Sequence, residues 1–341
     1  VSEAKDRLLR IAHKRTQAPR SCLTDEIRSR LGEIRLDRWV VPEDMSLGYY
    51  TPFWEELSEE ERRALNHWVY ALTYSRIRNG ECYVLETNAA ISAYLRPHAP
   101  AVAELLDRES AEEVDHVDAF DLARGRVCEV IGLGDWRWPT KRGNGVISSP
   151  TAIRGLLRTF GSDYVVSYFL GRGLANHMGK GFEAPIARDA EGCAATRELS
   201  LQHTLDESHH MAVSGLMAAA APELVPGSSP RRGALYRRMF RGLQQGIVRY
   251  TFGQTIYKSH ERRLSHAALA RVPALAKRSP AFRRELVEAH FEATSGLERS
   301  RNKVMPRPNR RLLDGAALCE EDRQLWEQEL VAGQGNLRFF G

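Results

Sequence analysis

Three side chains able to bind a metal ion, His203, Glu207 and His210, fall at i, i+4 and i+7 in the run His203-Thr-Leu-Asp-Glu-Ser-His-His210. Residues three and four apart on a helix are neighbours, about 5–6 Å between Cβ atoms, so the three share one face. A second Glu-x-x-His, Glu113 to His116, lies far upstream in another helical pattern. One such pair is commonly no more than a solvated acid beside an imidazole. Two pairs with an additional in-phase histidine form a metal-site pattern, and the mixture of carboxylate and imidazole suits iron or manganese, although zinc also accepts it.

Such a site needs helices to hold it. A bundle that supplies a Glu from each of two helices, and Glu-x-x-His from each of the other two, builds the ferritin-like di-iron or di-manganese centre. Helical periodicity dominates the chain, and convincing strands are hard to find. Ser58-Glu-Glu-Glu61 has the form of a capping box, opening a first helix that runs through Glu81 to about Tyr94 with Gly80 as a weak point. Pro97 and Pro100 follow, then a second helix over 102–130 carries Glu113 and His116. The third is expected over 151–188, with Gly171, Gly173, Gly179 and Gly181 admitting close approach, and the fourth over 196–221, ended by Pro222, Pro226 and Pro230.

The segment 132–150, rich in Gly, Trp and basic residues, reads as a linker rather than a cover for the site. Residues 2–16 form a basic N-terminal segment. Two further helices are expected over 232–266 and 280–301, then a Pro-rich and Arg-rich stretch and a short helix over 320–331. The expected architecture is one all-α domain over 1–341, a ferritin-like four-helix bundle at about 58–221 with additional peripheral helices at 232–331.

Composition narrows the alternatives. The chain has 341 residues, of which 43% are hydrophobic, enough for a sizeable core. It lacks a run of eighteen apolar residues, and residues 1–20 are charged and broken, so neither a membrane span nor a secretory signal is expected. Cys22, Cys82, Cys128, Cys193 and Cys319 show no Cys-x-x-Cys spacing, which argues against a zinc ribbon or a disulfide framework and for a reducing cytoplasm. The net charge of +5 comes with arginine groups at Arg231-Arg232, Arg237-Arg238 and Arg307 to Arg311. They read as a solvated face or a docking site for an acidic partner, since no nucleic-acid motif accompanies them.

Glu81-Cys-Tyr-Val-Leu-Glu86, Glu113-Val-Asp-His116 and His203-Thr-Leu-Asp-Glu207-Ser-His-His210 together resemble the para-aminobenzoate N-oxygenase family over about Trp68 to Met217. The resemblance implies a ferritin-like di-iron protein with Glu81, Glu113, His116, His203, Glu207 and His210 as metal ligands. His203 would be that family's extra histidine. It also implies two Fe ions, with Mn as a substitute, and O2 as co-substrate. Glu86 would be a surface or neighbouring charge, and His209, about 100° round the helix from His210, structural or a support behind a ligand. Asp115 and Asp206 would accept the far N–H of a ligating histidine.

On the third helix the family's glutamate falls on Asn176, with His177 one residue off and Glu183 two turns further along the same face. Any of the three could take that place. The implied function is oxidation of a small-molecule substrate, an arylamine converted by N-oxygenation in antibiotic biosynthesis. The alternatives are C–H hydroxylation or desaturation of a carrier-bound acid, and a non-catalytic helical metal-binding protein. An external electron donor is required, since no flavin or nicotinamide motif is visible. Tyr168, Phe169, Arg172, Arg76 and Arg78 are candidate substrate contacts, and a homodimer is an open alternative.

Overall fold

The computed structural model describes residues 3–15, 23–134, 136, 138, 149–225, 233–252, 254–301 and 307–333. Among them all the regular structure is helical, as expected. In chain order the α-helices are α1 (Glu3–Arg15), α2 (Asp25–Arg30), α3 (Glu59–Leu95), α4 (Pro100–Val130), α5 (Pro150–Phe160), α6 (Ser162–Arg188), α7 (Ala194–Leu224), α8 (Ala234–Phe252), α9 (Gln254–Leu269), α10 (Pro273–Ala276), α11 (Pro280–Arg301), α12 (Arg307–Gly315) and α13 (Glu320–Gly333). No helix among the described residues is long and apolar enough to cross a membrane.

Four long helices form two hairpins, α3 along α4 and α6 along α7. The capping box opens α3: Ser58 Oγ accepts from the Glu61 amide at 3.3 Å, while Glu61 accepts from the Ser58 amide at 2.8 Å. From there α3 runs unbroken for 37 residues, about 55 Å at 1.5 Å per residue. Gly80 does not interrupt it, since a single glycine costs a helix only about 1 kcal/mol and packing on either side exceeds that. Pro100, expected in the gap between helices, instead takes the first position of α4, where its missing N–H is no loss.

Two expectations change. The third helix is broken at Gly161, whose φ of +53° and ψ of −127° are open to glycine and rarely to other residues. The Gly161 amide caps α5 on Leu157 O at 2.9 Å, and α6 starts afresh at Ser162. Nor does Pro222 end α7, which continues to Leu224. Proline removes the bond that would reach back to Ala218, and the freed Ala218 carbonyl accepts instead from the Ala317 amide at 3.0 Å. Pro226 and Pro230 lie outside the described residues.

The apolar interior is split in two. One core gathers Leu65, Trp68, Tyr74, Phe120, Val127, Phe182 and Leu199. The other gathers Ile91, Leu106, Tyr164, Phe169, Leu174, Val213 and Met217. Each of the four long helices contributes to both, and its middle turns carry buried polar residues between them. Each fully buried Leu, Ile or Phe contributes about 1.5–3 kcal/mol, so two apolar clusters hold a polar layer at the waist of the bundle.

The other helices brace this frame. The N-terminal segment is the helix α1, packed on α7 and α4 through the buried Leu8 and Ala12. Part of the arginine-rich stretch is the helix α12, which seats Leu312 against Gly215 and Gly173, where added methyl groups would lie 3.1 and 3.5 Å from it. The helical expectation over 232–266 corresponds to α8 and α9, with residue 253 between them outside the described residues. Between α4 and α5, Trp136 and Trp138 pack on Trp68 at 5.6 and 5.7 Å between centroids; residues 139–148 of that loop, like Arg231 and Arg232, lie outside the described residues.

Candidate metal centre

The bundle's waist brings all six sequence-expected ligands together. Glu81 comes from α3, Glu113 and His116 from α4, and His203, Glu207 and His210 from α7. Ligand atoms of Glu113, His116, Glu207 and His210 all lie within 4.8 Å of one another, as do those of Glu81, His203 and Glu207, so Glu207 belongs to both groups. The side chains are at most 12% exposed.

Each histidine has one ring nitrogen turned into the cluster and the other held by a carboxylate. His116 Nδ1 faces Glu113 at 3.1 Å and Glu207 at 3.8 Å, while Nε2 meets Asp206 at 3.2 Å. His210 Nδ1 faces Glu207 at 3.0 Å and Glu113 at 3.1 Å, while Nε2 meets Glu112 at 2.9 Å. The arrangement is reciprocal. The acid before each Glu-x-x-His glutamate crosses to the histidine of the other helix, which fixes tautomer and ring orientation.

Asp206 thus does what was expected of it. Asp115 does not: it pairs with Arg28 at 3.2 Å near the surface, because it projects from the other side of α4. The acid on α4 that does reach a histidine is Glu112, which the sequence reading passed over. Its signal was the repetition of an acid directly before Glu113 and before Glu207. His209, expected to be structural or to support a ligand, is exposed, and Glu86 is half-buried.

Helix α6 contributes differently from the other three. Arg172, fully buried, donates to Glu109 Oε2 at 2.6 Å and to Glu113 Oε1 at 2.8 Å. One turn on, Asn176 buries an Nδ2 that has no hydrogen-bond partner among the described residues. Two further turns along, Glu183 accepts from His203 Nδ1 at 2.6 Å and from the Tyr74 hydroxyl at 2.9 Å. Glu183 therefore reaches the site through His203. His177 is half-buried on a different face and joins neither group.

The electrostatics call for a cation. Burial first, then the charges of Glu113 and Glu207, push Glu81 well above the usual carboxylate range. Burial alone would lower His203 and His210, but the surrounding carboxylates outweigh it and hold both well above the ordinary imidazole value. Without an ion, protons must do the work of keeping these groups together. The Nε2 atom of His203 is buried without a hydrogen-bond partner among the described residues, facing Glu207 at 3.5 Å and Glu81 at 3.9 Å. Carboxylate oxygens and imidazole nitrogens so arranged fit iron, and the buried group could hold a metal ion.

A family model described as acyl halogenase CylC-like matches residues 34–134. No curated protein and no solved structure matches the chain. The matched stretch is less than a third of the chain, covering all of α3 and α4 and with them Glu81, Glu112, Glu113 and His116. Helices α6 and α7, with Arg172, Glu183 and the His203 motif, fall outside it.

Of the candidate substrate contacts, Arg172 belongs to the centre, Tyr168 donates to Asn88 at 3.0 Å and Phe169 is core. Arg76 and Arg78 pair with Glu261 and Asp121. Besides Glu112, the sequence reading missed Glu109 and Tyr74. Glu109 stands four residues before Glu113 as His203 stands four before Glu207, a parallel visible in spacing alone.

Proposed function

We propose that the chain is a non-haem di-iron enzyme that uses O2 to oxidise a small-molecule substrate in natural-product biosynthesis. The observation that carries this reading is the buried cluster of three carboxylates and three histidines, each histidine oriented by a further carboxylate. The metal pair, once bound, would supply the redox and Lewis-acid chemistry toward O2. The chain's own contribution is positional. Glu112 and Asp206 hold the imidazoles of His210 and His116, Arg172 fixes one oxygen of Glu113, and the two apolar cores keep bulk water from either end of the layer. Electrons would come from an external donor.

Two substrate readings are supported by different halves of the molecule. The acyl halogenase match on α3 and α4 supports halogenation of a C–H bond on an acyl group, including a carrier-bound one. Asn176 in place of a carboxylate suits it as well, because three first-layer carboxylates leave two ferrous ions with net positive charge that a halide could balance. The motif from His203 to His210 supports N-oxygenation of an arylamine, by its resemblance to the para-aminobenzoate N-oxygenases.

The test is to load the protein with ferrous iron and expose it to O2, reductant and halide with an acyl-carrier substrate or an arylamine. Mass spectrometry of the products then decides. A halogenated acyl product supports the first reading, and a hydroxylamine, nitroso or nitro product the second. A protein that binds less than about one iron per chain, and shows no O2-dependent absorbance change, excludes both.

A further inference from the structure

We infer that Glu183 is a positioning residue for His203, and that α6 delivers its carboxylate to the metal centre through that imidazole. The inference rests on the di-metal reading above and deepens it. Both oxygens of Glu183 are engaged away from the cluster, Oε2 by His203 Nδ1 at 2.6 Å and Oε1 by the Tyr74 hydroxyl at 2.9 Å. The residue is fully buried. Tyr74 is itself held by Ser200 Oγ at 2.8 Å, one turn before His203 on α7.

Three helices therefore converge on one carboxylate: α3 through Tyr74, α6 through Glu183 and α7 through Ser200 and His203. The result is a fixed tautomer. With Nδ1 donating to Glu183, the proton that a bound ion would displace from His203 is the one on Nε2, the buried nitrogen that faces Glu81 and Glu207 and has no hydrogen-bond partner among the described residues. A fourth carboxylate directly on the ions would need Glu183 to give up one of two short hydrogen bonds in a dry interior. Leaving the Tyr74 hydroxyl or the imidazole N–H unsatisfied there would cost about 1–3 kcal/mol.

Cobalt(II) titration of the full-length metal-free protein, followed by visible absorption, tests this. The set is the wild type, Glu183→Ala, Glu183→Gln, Tyr74→Phe, His203→Asn and the Glu183→Ala/His203→Asn double variant, each checked by circular dichroism. Glu183→Ala is expected to weaken one ion's binding about 10–100-fold and to shift its absorption band. Glu183→Gln, which keeps an acceptor for Nδ1, should recover most of the affinity, and Tyr74→Phe should give a smaller band shift with little loss.

In the His203→Asn background, Glu183→Ala should bring no further loss. Undiminished loss in that background would make Glu183 a direct ligand and overturn the inference. So would wild-type affinity and spectrum in Glu183→Ala. If Glu183→Ala does not fold, the Gln and Phe variants decide by the same band shift, and an unchanged band in both overturns the inference. Should the wild type take up no cobalt at all, the di-metal reading fails and takes this one with it.

Discussion

The two hairpins carry the same frame with different contents. On α4 the order is Glu109, Glu112, Glu113, His116; on α7 the same spacing reads His203, Asp206, Glu207, His210. The last three positions match in chemistry and hydrogen-bond each other's histidines across the bundle. The first position does not match. Glu109 is ion-paired with Arg172 and has no place in either metal group, whereas His203 points into the cluster a nitrogen with no hydrogen-bond partner among the described residues and is backed by Glu183. The partner helices differ likewise, α3 bringing Glu81 and α6 bringing Arg172, Asn176 and Glu183. Half of the site is thus a symmetric clamp and half is asymmetric.

The largest effect should come from the one residue common to both groups. Glu207→Ala is expected to remove both ions, and Glu81→Ala only one, by iron quantification after reconstitution. Equal losses would break the division into two groups. Next comes Arg172→Met, which strands Glu109 and Glu113 as buried charges; chemical denaturation should show a loss of about 3–5 kcal/mol. Adding Glu109→Gln should restore part of it.

Third, if the clamp is symmetric, Glu112→Gln and Asp206→Asn should each weaken metal binding about 10–100-fold. Unequal results from competitive chelator titration would show that the asymmetry reaches into the matched positions. The smallest effect lies outside both hairpin interiors. Arg278 first, through its hydrogen bond at 2.6 Å, then the Ser58 cap hold the Glu61 carboxyl down to about 2 against burial. Glu61→Gln, which keeps the capping-box acceptor and removes only the charge facing Arg278, should cost at most about 1 kcal/mol at neutral pH. Because the folded value lies below the ordinary 4.5, that contribution is complete above pH 4.5 and disappears as pH falls toward 2. Urea melts at several pH values would show whether the difference closes as stated.

Spacing made much of this legible. The Glu-x-x-His pairs, the phase of His203 and the Ser58 capping box are local patterns, and helix periodicity turns them into faces without further information. The break at Gly161 was harder to see, because a glycine inside a helical pattern is usually tolerated and only its left-handed torsion separates α5 from α6. Pro222 misled for a related reason: the cost of its missing bond depends on Ala317, distant in sequence, supplying a replacement donor to Ala218. Arg172 and Glu183 lay beyond a reading of motifs because their roles are set across helices, by which residues of α4 and α7 happen to face α6. The loop over 132–150 and the Arg231-Arg232 group remain expectations from sequence.

The crossed bonds from Asp206 to His116 and from Glu112 to His210 bear on how the protein is assembled. Within each hairpin the helices pack far more extensively than α4 does on α7, and the crossed bonds of the metal layer span that narrower α4–α7 contact. Neither hairpin holds a complete set of donors, so neither can capture an ion and keep it alone. Loading would then act as a mortar between two prefabricated halves, and the empty protein should breathe along the seam between hairpins before either hairpin frays. Hydrogen exchange on α4 and α7, with and without metal, would show the seam tighten.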